Sequence, residues 1–363
     1  MISRRIHLCT ALIAMAASNG AGAAEGFQVR YNIAGSLGGE IFAPPNTTGL
    51  LAGMAATYID VKKVTGDDGK PLTMTVPGGT VPLPAPTPSA LYPTYGEGTA
   101  HIDGTGNLKL FNFVLGYITK ETYGDGRLAF GVNLPYGVKK QSFGVSATTP
   151  ALQWDSSIPQ GTRDAVAAAF DEGYQAGLAE QAAAESGTVS GFGDLELQAG
   201  WLYADGPLRV LAGASVVLPT GKYDDAAGPD IGFGNFYTFR PAVQVGYLAT
   251  PDFAIGGKVT LGLNSKNKDN DLRSGDWLGL EAAAAYKTAI GAIGVHGVYV
   301  RQYQDDKNND FGGSRFQTSN GGLFFTTRLP VVDAAVTIQL MKTLSSRNAK
   351  AGTFSQVRFV KVF

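Results

Sequence analysis

The sequence contains very little cysteine, histidine and charge. One cysteine, Cys9, and three histidines occur among 363 residues, and Asp, Glu, Lys and Arg make up only 16%, against about 25% in a typical soluble domain. A single thiol excludes a disulfide within the chain, and so few Cys and His residues offer no zinc-binding spacing. Lys and Arg number 29 against 30 for Asp and Glu, so no basic excess points to nucleic acid as a partner.

Long apolar runs are also missing after the first two dozen residues. The longest uncharged stretch, 71–96, contains seven prolines, and each proline costs about 3 kcal/mol inside a helix. This stretch is therefore predicted to be an extended loop, and the sequence excludes a bundle of membrane-spanning helices. The 49 glycines favour a chain with many tight turns.

The first residues have the pattern of a secretory signal. Arg4 and Arg5 precede an apolar core at 8–17, and small residues lead to Ala24. The sequence thus predicts a signal peptide over 1–24. Residues 25–49 are predicted to be an N-terminal periplasmic segment that precedes the folded domain.

Segments of about ten residues alternate between an apolar face and a mixed, polar face. In 253–264, for example, Val259 and Leu261 alternate with Lys258 and Thr260. Two-sided strands of this length are typical of transmembrane barrels, whereas the strands of soluble sandwiches are shorter. Twelve strands are predicted, at 50–63, 100–119, 127–145, 191–204, 207–222, 235–249, 252–265, 276–288, 291–305, 319–329, 333–345 and 353–363.

The connections between these segments alternate between short turns and long polar loops. Bacterial outer-membrane barrels have short periplasmic turns and long outer loops, and an even number of antiparallel strands. The sequence therefore predicts an all-β fold, a closed antiparallel transmembrane β-barrel over 50–363, in the outer membrane of a Gram-negative bacterium. The longest outer loop is predicted at 146–190, and another at 346–353.

One helix is predicted inside that long loop, over 162–186. An apolar stripe recurs every fourth residue at Val166, Phe170, Tyr174 and Leu178, the spacing of one helix face. The stripe either packs into the barrel mouth as a lid or belongs to a solvated helix on the rim.

Four short motifs carry a resemblance to a known family. They are G-F-G-D at 191–194, L-P-T-G-K-Y at 218–223, G-F-G-N-F-Y at 232–237 and R-Q-Y-Q-D-D at 301–306. Their order and spacing resemble the outer-membrane family named for the meta-pathway of phenol degradation, which is similar in role to fatty-acid and aromatic-hydrocarbon channels. The resemblance implies uptake of hydrophobic or aromatic compounds, without identifying the compound. Asp194 in the first motif either closes a turn or binds a ligand in the pore.

Charged residues within the strands are candidates to line the pore. A base facing lipid at the bilayer midplane costs about 2–4 kcal/mol, so such residues are expected to face inward. Counted from the periplasmic turns, Lys258, Glu281 and Arg301 fall at similar heights on adjacent strands, with Glu281 between the two bases. The predicted pore-lining residues are Glu196, Arg240, Lys258, Glu281, Arg301 and Arg328.

The last strand ends in an aromatic residue. Phe359 and Phe363 share one face of the alternating segment, a pattern that resembles the insertion signal of outer-membrane proteins. The two residues are predicted to be read by the barrel assembly machinery.

Taken together, these patterns predict a channel for diffusive uptake of small hydrophobic or aromatic compounds. Its partners would be outer-membrane lipid and the solute, and neither a cofactor nor enzymatic activity is expected. Two alternatives remain open: a structural or adhesive barrel, and an outer-membrane hydrolase. A hydrolase requires Ser and His side by side on the outer wall; no serine could be assigned opposite His296, and His101 lies near Asp103.

Overall fold

A computed structural model describes residues 29–31, 42, 47–224, 228–309 and 315–363. The predicted signal peptide, 1–24, lies outside the described residues. Within the described part, no helix is both long and apolar enough to cross a membrane.

Twelve long strands form one antiparallel sheet that closes on itself. Consecutive strands pair with each other, and the first pairs with the last, with Leu51 opposite Val362. The predicted closed twelve-stranded barrel is therefore confirmed. The strands are β1 Gly49–Thr65, β2 Gly98–Ile118, β3 Arg127–Ser146, β4 Glu196–Asp205, β5 Leu208–Val217, β6 Thr238–Thr250, β7 Phe253–Asn264, β8 Trp277–Thr288, β9 Gly291–Gln302, β10 Gln317–Leu329, β11 Ala334–Arg347 and β12 Ala349–Val362.

The outer surface of the barrel carries a continuous apolar band. On β2, for example, Phe111, Phe113, Leu115 and Tyr117 occupy alternate positions and are all exposed, Leu115 by 56%. Alternate residues of a strand point to opposite faces, so this face of β2 lies outside the barrel. A water-soluble protein rarely exposes so large an apolar surface, and the band matches the lipid-facing belt of transmembrane barrels.

The connections follow the predicted alternation with one exception. The expected outer loop at 346–353 is wrong, because β11 continues to Arg347 and β12 begins at Ala349. The two strands pair with each other as far as Lys342 and Thr353, and Asn348, the one residue between them, has a φ of 46°, a left-handed conformation that Asn tolerates. The polar sequence here forms strand because β10 and β1 pair with its two sides.

Short additional strands extend β2 and β3 beyond the twelve-stranded ring. Thr73–Val76 pairs with the start of β2, and Gly187–Phe192 pairs with the outer half of β3. The predicted strand 191–204 is therefore divided, since β4 begins only at Glu196.

The helix of the long outer loop, α1, spans Gln160–Ala184. It begins directly after Pro159, two residues before the predicted start at 162. Its stripe packs on the proline-rich loop and on the outer end of β3, where the rings of Phe170 and Tyr95 lie 4.9 Å apart.

Of the two positions that the sequence left open for this helix, lid or rim, the contacts favour the rim. Phe170, Tyr174 and Leu178 are buried, and Val166 is partly buried, in a cluster that includes Val81, so the stripe is already covered. No residue of α1 lines the barrel cavity. The helix lies on the rim, beside the mouth.

Candidate functional site in the barrel lumen

The barrel encloses a cavity of 470 Å³ with two chemically different sides. One side is apolar and is formed by β1 and β2, through Ile59, Leu108 and Leu110, whereas β3 contributes Phe143 together with the charged Lys139. These residues occupy the inward positions of strands whose outward positions form the lipid-facing band. A solute with an aromatic ring could therefore lie against this side without desolvating a charge.

The other side of the cavity carries charges on β4, β6, β7, β8 and β12. Lys258 on β7 lies directly opposite Glu281 on β8, and both line the cavity. Arg358 on β12 also lines the cavity and interacts electrostatically with Glu281. Glu281 therefore has Lys258 opposite it and interacts with Arg358, whereas the sequence predicted Arg301 as the second base.

The predicted inward position of Arg301 is wrong. On β9 the inward residues are Val298, Val300 and Gln302, all buried, whereas Arg301 is exposed on the outward face. The expectation failed because Arg301 lies at the outer end of its strand, near the polar surface of the membrane, where the cost of an outward base is small. Arg358 could have been recognised instead, because it alternates with Val357 and Phe359.

Arg328 also lies away from the cavity. Its guanidinium pairs with Asp333 in the turn between β10 and β11, and its side chain is 66% exposed. The residue belongs to the periplasmic rim, so its predicted pore-lining position is wrong.

Glu196 and Arg240 form a buried ion pair on the cavity wall. Their side chains are 6% and 5% exposed, and Arg240 Nε donates to Ser215 Oγ at 3.1 Å. Arg240 Nη1 also donates to the carbonyl oxygen of Arg30 at 2.8 Å. The pair therefore connects the wall to the N-terminal segment.

Residues 29–31 of the N-terminal segment lie in the lumen. Residues 25–49 were predicted to be periplasmic, but Val29 and Tyr31 line the cavity and Val29 packs in a cluster with Trp277 and Phe316. The prediction is thus wrong for residues 29–31. Nothing in the local sequence indicates this position, since the contacts come from residues more than 160 positions away.

Arg30 holds this segment through a buried network. Its Nε and Nη2 atoms donate to Asp194 Oδ2 at 3.0 and 2.7 Å, and Nη2 donates to the carbonyl of Gly234 at 3.0 Å. The guanidinium also lies 3.9 Å from the centre of the Phe236 ring, a favourable cation–π distance.

Asp194 joins the three glycine-rich motifs. Its Oδ1 accepts from the Gly221 amide at 3.0 Å, and its Oδ2 accepts from the Phe233 amide at 3.2 Å. A Cβ added at Gly221 would lie 2.7 Å from the Cα of Gly232, so these two glycines permit the close contact. The carboxylate binds Arg30 and the loop backbone, a structural role that the sequence left open.

Two lysines face the outer part of the cavity beside the same loop. Lys139 Nζ donates to the Asp230 carbonyl at 3.0 Å, and Lys350 Nζ donates to Gln141 Oε1 at 3.3 Å. Among the described residues, neither lysine has a carboxylate within 4.0 Å. Burial raises the pKa of Asp230 to about 6 and also raises the pKa of Glu185, while Lys139 opposes both shifts.

The family model described as a MetA-pathway of phenol degradation matches residues 92–359. The chain belongs to this family. The resemblance drawn from the four motifs is confirmed, because all of them lie within the matched range. No curated protein matches the chain in sequence.

Three solved structures are similar to this chain over most of its length. The COG4313 outer membrane channel from Pseudomonas putida F1 is 14% identical, with 92% of this chain and 100% of that chain covered and a TM-score of 0.59. The β domain of the Bordetella autotransporter BrkA is 8% identical over 87% of this chain and 100% of that chain, with a TM-score of 0.45. The CymD monoaromatic hydrocarbon channel is 12% identical over 95% and 98%, with a TM-score of 0.40.

Of the two described histidines, His101 and His296, neither lies in a catalytic arrangement. His296 faces inward, 5.4 Å from the Phe324 ring, opposite Ala283 and Gly322. His101 lies opposite Ser146 on the outer face, yet no hydrogen bond joins their side chains. In the described part of the chain, no cluster of three or more His, Cys, Asp or Glu side chains could hold a metal ion.

The terminal aromatic residues lie at the periplasmic end of β12. Phe359 and Phe363 are exposed, Phe363 by 66%, and the Phe363 amide donates to the Leu50 carbonyl at 2.8 Å. Lys361 Nζ lies 4.9 Å from the centre of the Phe363 ring. Recognition of these residues by the assembly machinery stays a prediction.

Proposed function

We propose that this member of the phenol-degradation family is an outer-membrane channel for small hydrophobic or aromatic solutes, which pass inward by diffusion. The two-sided cavity is the observation that carries the proposal. Leu108 and Leu110 provide an apolar surface along one side, and the charges around Glu281 face it from the other. Such a lumen favours solutes with one apolar and one polar end.

The polar side gives each end of the solute a defined environment. A hydroxyl or carboxylate could exchange its hydration for contacts with Lys258 or Arg358, while the ring remains on the apolar side. Charge-assisted hydrogen bonds are stronger than neutral ones, so these bases would bind a carboxylate or phenolate in preference to a neutral hydroxyl.

The test is uptake into liposomes that contain the purified barrel. We expect benzoate and phenol to enter faster than a neutral sugar of similar size. The double variant Leu108→Gln/Leu110→Gln should slow the aromatic compounds without reducing the conductance for small ions. Leu344→Gln is the matched control, because Leu344 is 71% exposed on the outer face. Equal rates for all solutes and all variants would favour a structural barrel.

An enzymatic role is the weaker candidate. The cross-strand pair of His101 and Ser146 is the arrangement that an outer-wall hydrolase would use, with Asp103 on the same face of β2. A serine nucleophile requires activation by a hydrogen-bonded base, and this hydrogen bond is missing from the pair. Esterase activity that disappears in Ser146→Ala would overturn this assessment.

A further inference from the structure

Among the strand residues, the outward charges of the barrel lie on one half of its circumference. At the outer ends of β4 to β8, the outward side chains are apolar, as at Leu197, Phe239 and Leu263. From β9 through β12 to β3, the outward face carries basic residues directly above the apolar band. These basic residues are Lys62, Lys109, Lys140, Arg301 and Lys342.

Strand register places four of these bases in one patch. Lys342 lies opposite Thr353 on β12, Thr353 opposite Asp60 on β1, Asp60 opposite Asn107 on β2, and Asn107 opposite Lys140 on β3. Lys109 is two residues below Asn107 on β2, and Lys62 is two residues above Asp60 on β1. The basic patch is defined here as Lys62, Lys109, Lys140 and Lys342.

Lys109 and Lys140 form the centre of the basic patch. They are diagonal neighbours on β2 and β3, because Lys109 lies opposite Val138 and Lys140 opposite Asn107. Diagonal neighbours are about 7–8 Å apart, a spacing at which two flexible ammonium groups can bind the same anionic group. Tyr58 lies opposite Lys109 on β1 and adds an amphipathic side chain to the same level.

A neighbouring acid pairs with one of the four lysines of the basic patch and leaves the other three without such a partner in the described part of the chain. Asp60 Oδ2 pairs with Lys62 Nζ at 2.6 Å. Among the described residues, no carboxylate lies within 4.0 Å of Lys109, Lys140 or Lys342. A second outward acid, Asp103, lies on β2. It is four residues beyond Asn107 and therefore farther from the apolar band.

The height of the basic patch coincides with the outer surface of the membrane. Lys109 is roughly nine residues above the periplasmic end of β2 at Ile118, and a tilted strand climbs about 2.6 Å per residue, which gives a height of ~23 Å. The apolar band of an outer-membrane barrel is about 25 Å tall. Phe111, Phe113 and Leu115 fill the outward positions below Lys109, so the lysines begin where the band ends.

We infer that the basic patch binds the phosphate groups of lipopolysaccharide, the glycolipid of the outer leaflet, while the acyl chains lie against the apolar band below. This inference rests on the proposed outer-membrane location, but it does not depend on which solute the lumen passes. It distinguishes the two halves of the barrel, because the strands β4 to β8 carry no such group of outward bases, and Lys268 of the neighbouring loop is the base beside Tyr237 there.

The test measures binding of purified lipopolysaccharide to the barrel in a non-ionic detergent, by native mass spectrometry and by the shift in the temperature at which the folded barrel unfolds. We expect the triple variant Lys109→Gln/Lys140→Gln/Lys342→Gln to bind at least tenfold more weakly at 0.15 M salt. The matched control is Lys361→Gln, an outward lysine of β12 at the periplasmic end, which should bind as the unchanged protein does.

A second measurement uses the unchanged protein and so does not depend on the folding of a variant. Lipopolysaccharide from which the phosphates have been removed should bind at least tenfold more weakly, and phosphatidylglycerol should not compete at equal concentration. Equal binding of the triple variant, equal binding of the dephosphorylated glycolipid, or effective competition by phosphatidylglycerol would each overturn the inference. None of these results depends on uptake, so failure here is distinguishable from failure of the channel proposal.

Discussion

Replacing Asp194 by asparagine should release the N-terminal segment from the lumen. The change preserves size but removes the charge that binds Arg30, whose side chain is 3% exposed. Loss of one partner of a buried ion pair costs about 3–5 kcal/mol. Arg30 keeps the Gly234 carbonyl and the Phe236 ring, so the lower end applies, about 3 kcal/mol or roughly 150-fold in the equilibrium between the docked and released segment.

A cysteine introduced into the segment can report this release. Cys9 is the only native cysteine, so a Cys9→Ser background leaves Val29→Cys as the single thiol. Val29 is 4% exposed, and a maleimide should therefore label it only when the segment leaves its site. We expect labelling to be about 100-fold faster in the Asp194→Asn variant when opening is in rapid equilibrium.

The matched control for this experiment is Asp305→Asn. Asp305 pairs with Arg315 on the surface, where both side chains are about half exposed, and such pairs contribute only about 0–1 kcal/mol. The labelling rate of Asp305→Asn should match that of the unchanged protein. The labelling rate of Asp194→Glu should fall between those of Asp194→Asn and Asp305→Asn. If Asp194→Asn and Asp305→Asn give the same labelling rate, Asp194 does not hold the segment.

Four further results follow from the structure. Glu281→Gln should lower barrel stability in urea by up to about 3 kcal/mol by leaving Lys258 without its opposite carboxylate. Asp230 has a pKa raised from 3.8 to about 6, so the folded loop favours the protonated form of this carboxyl. The stability that the protonated carboxyl gives the folded loop is lost as pH rises from about 4 through 6. Hydrogen exchange in the loop, corrected for intrinsic rates, should be slower at pH 5 than at pH 8, and Asp230→Asn should remove the difference. Phe363→Ala should reduce the heat-resistant folded barrel in membranes, and a normal amount would exclude its role in assembly. Deletion of 160–184 should leave single-channel conductance unchanged in planar bilayers. An increase in conductance would show that the helix acts as a lid.

The barrel could be predicted from sequence because lipid imposes a strict pattern on every strand. One face must remain apolar over about ten residues, so strand ends are found within a few residues; β7 was predicted at 252–265 and is found at Phe253–Asn264. The pattern failed where a strand leaves the membrane. Polar residues around Asn348 have the composition of a loop, yet they form strand because neighbouring strands supply hydrogen bonds there.

The residues that face the lumen could be predicted only in strands where apolar and polar residues alternate unambiguously. Lys258 and Glu281 are placed by apolar neighbours on the opposite face, whereas β9 has apolar residues on both faces, such as Val295 and Val300, and Arg301 was assigned to the wrong one. The position of Arg30 has no periodic signature at all. It depends on contacts 164 to 210 residues away, which no local pattern encodes.

The two elements that narrow the lumen share one carboxylate. Residues 29–31 occupy the interior through Arg30, and the described part of the next loop, 218–224 and 228–237, folds inward through the amides of Gly221 and Phe233. All three contacts converge on Asp194. Because both elements border the cavity, the width of the solute path depends on a single buried network. It follows that Asp194→Asn should raise conductance as well as cysteine labelling. Faster labelling with unchanged conductance would mean that the loop alone sets the narrowest point.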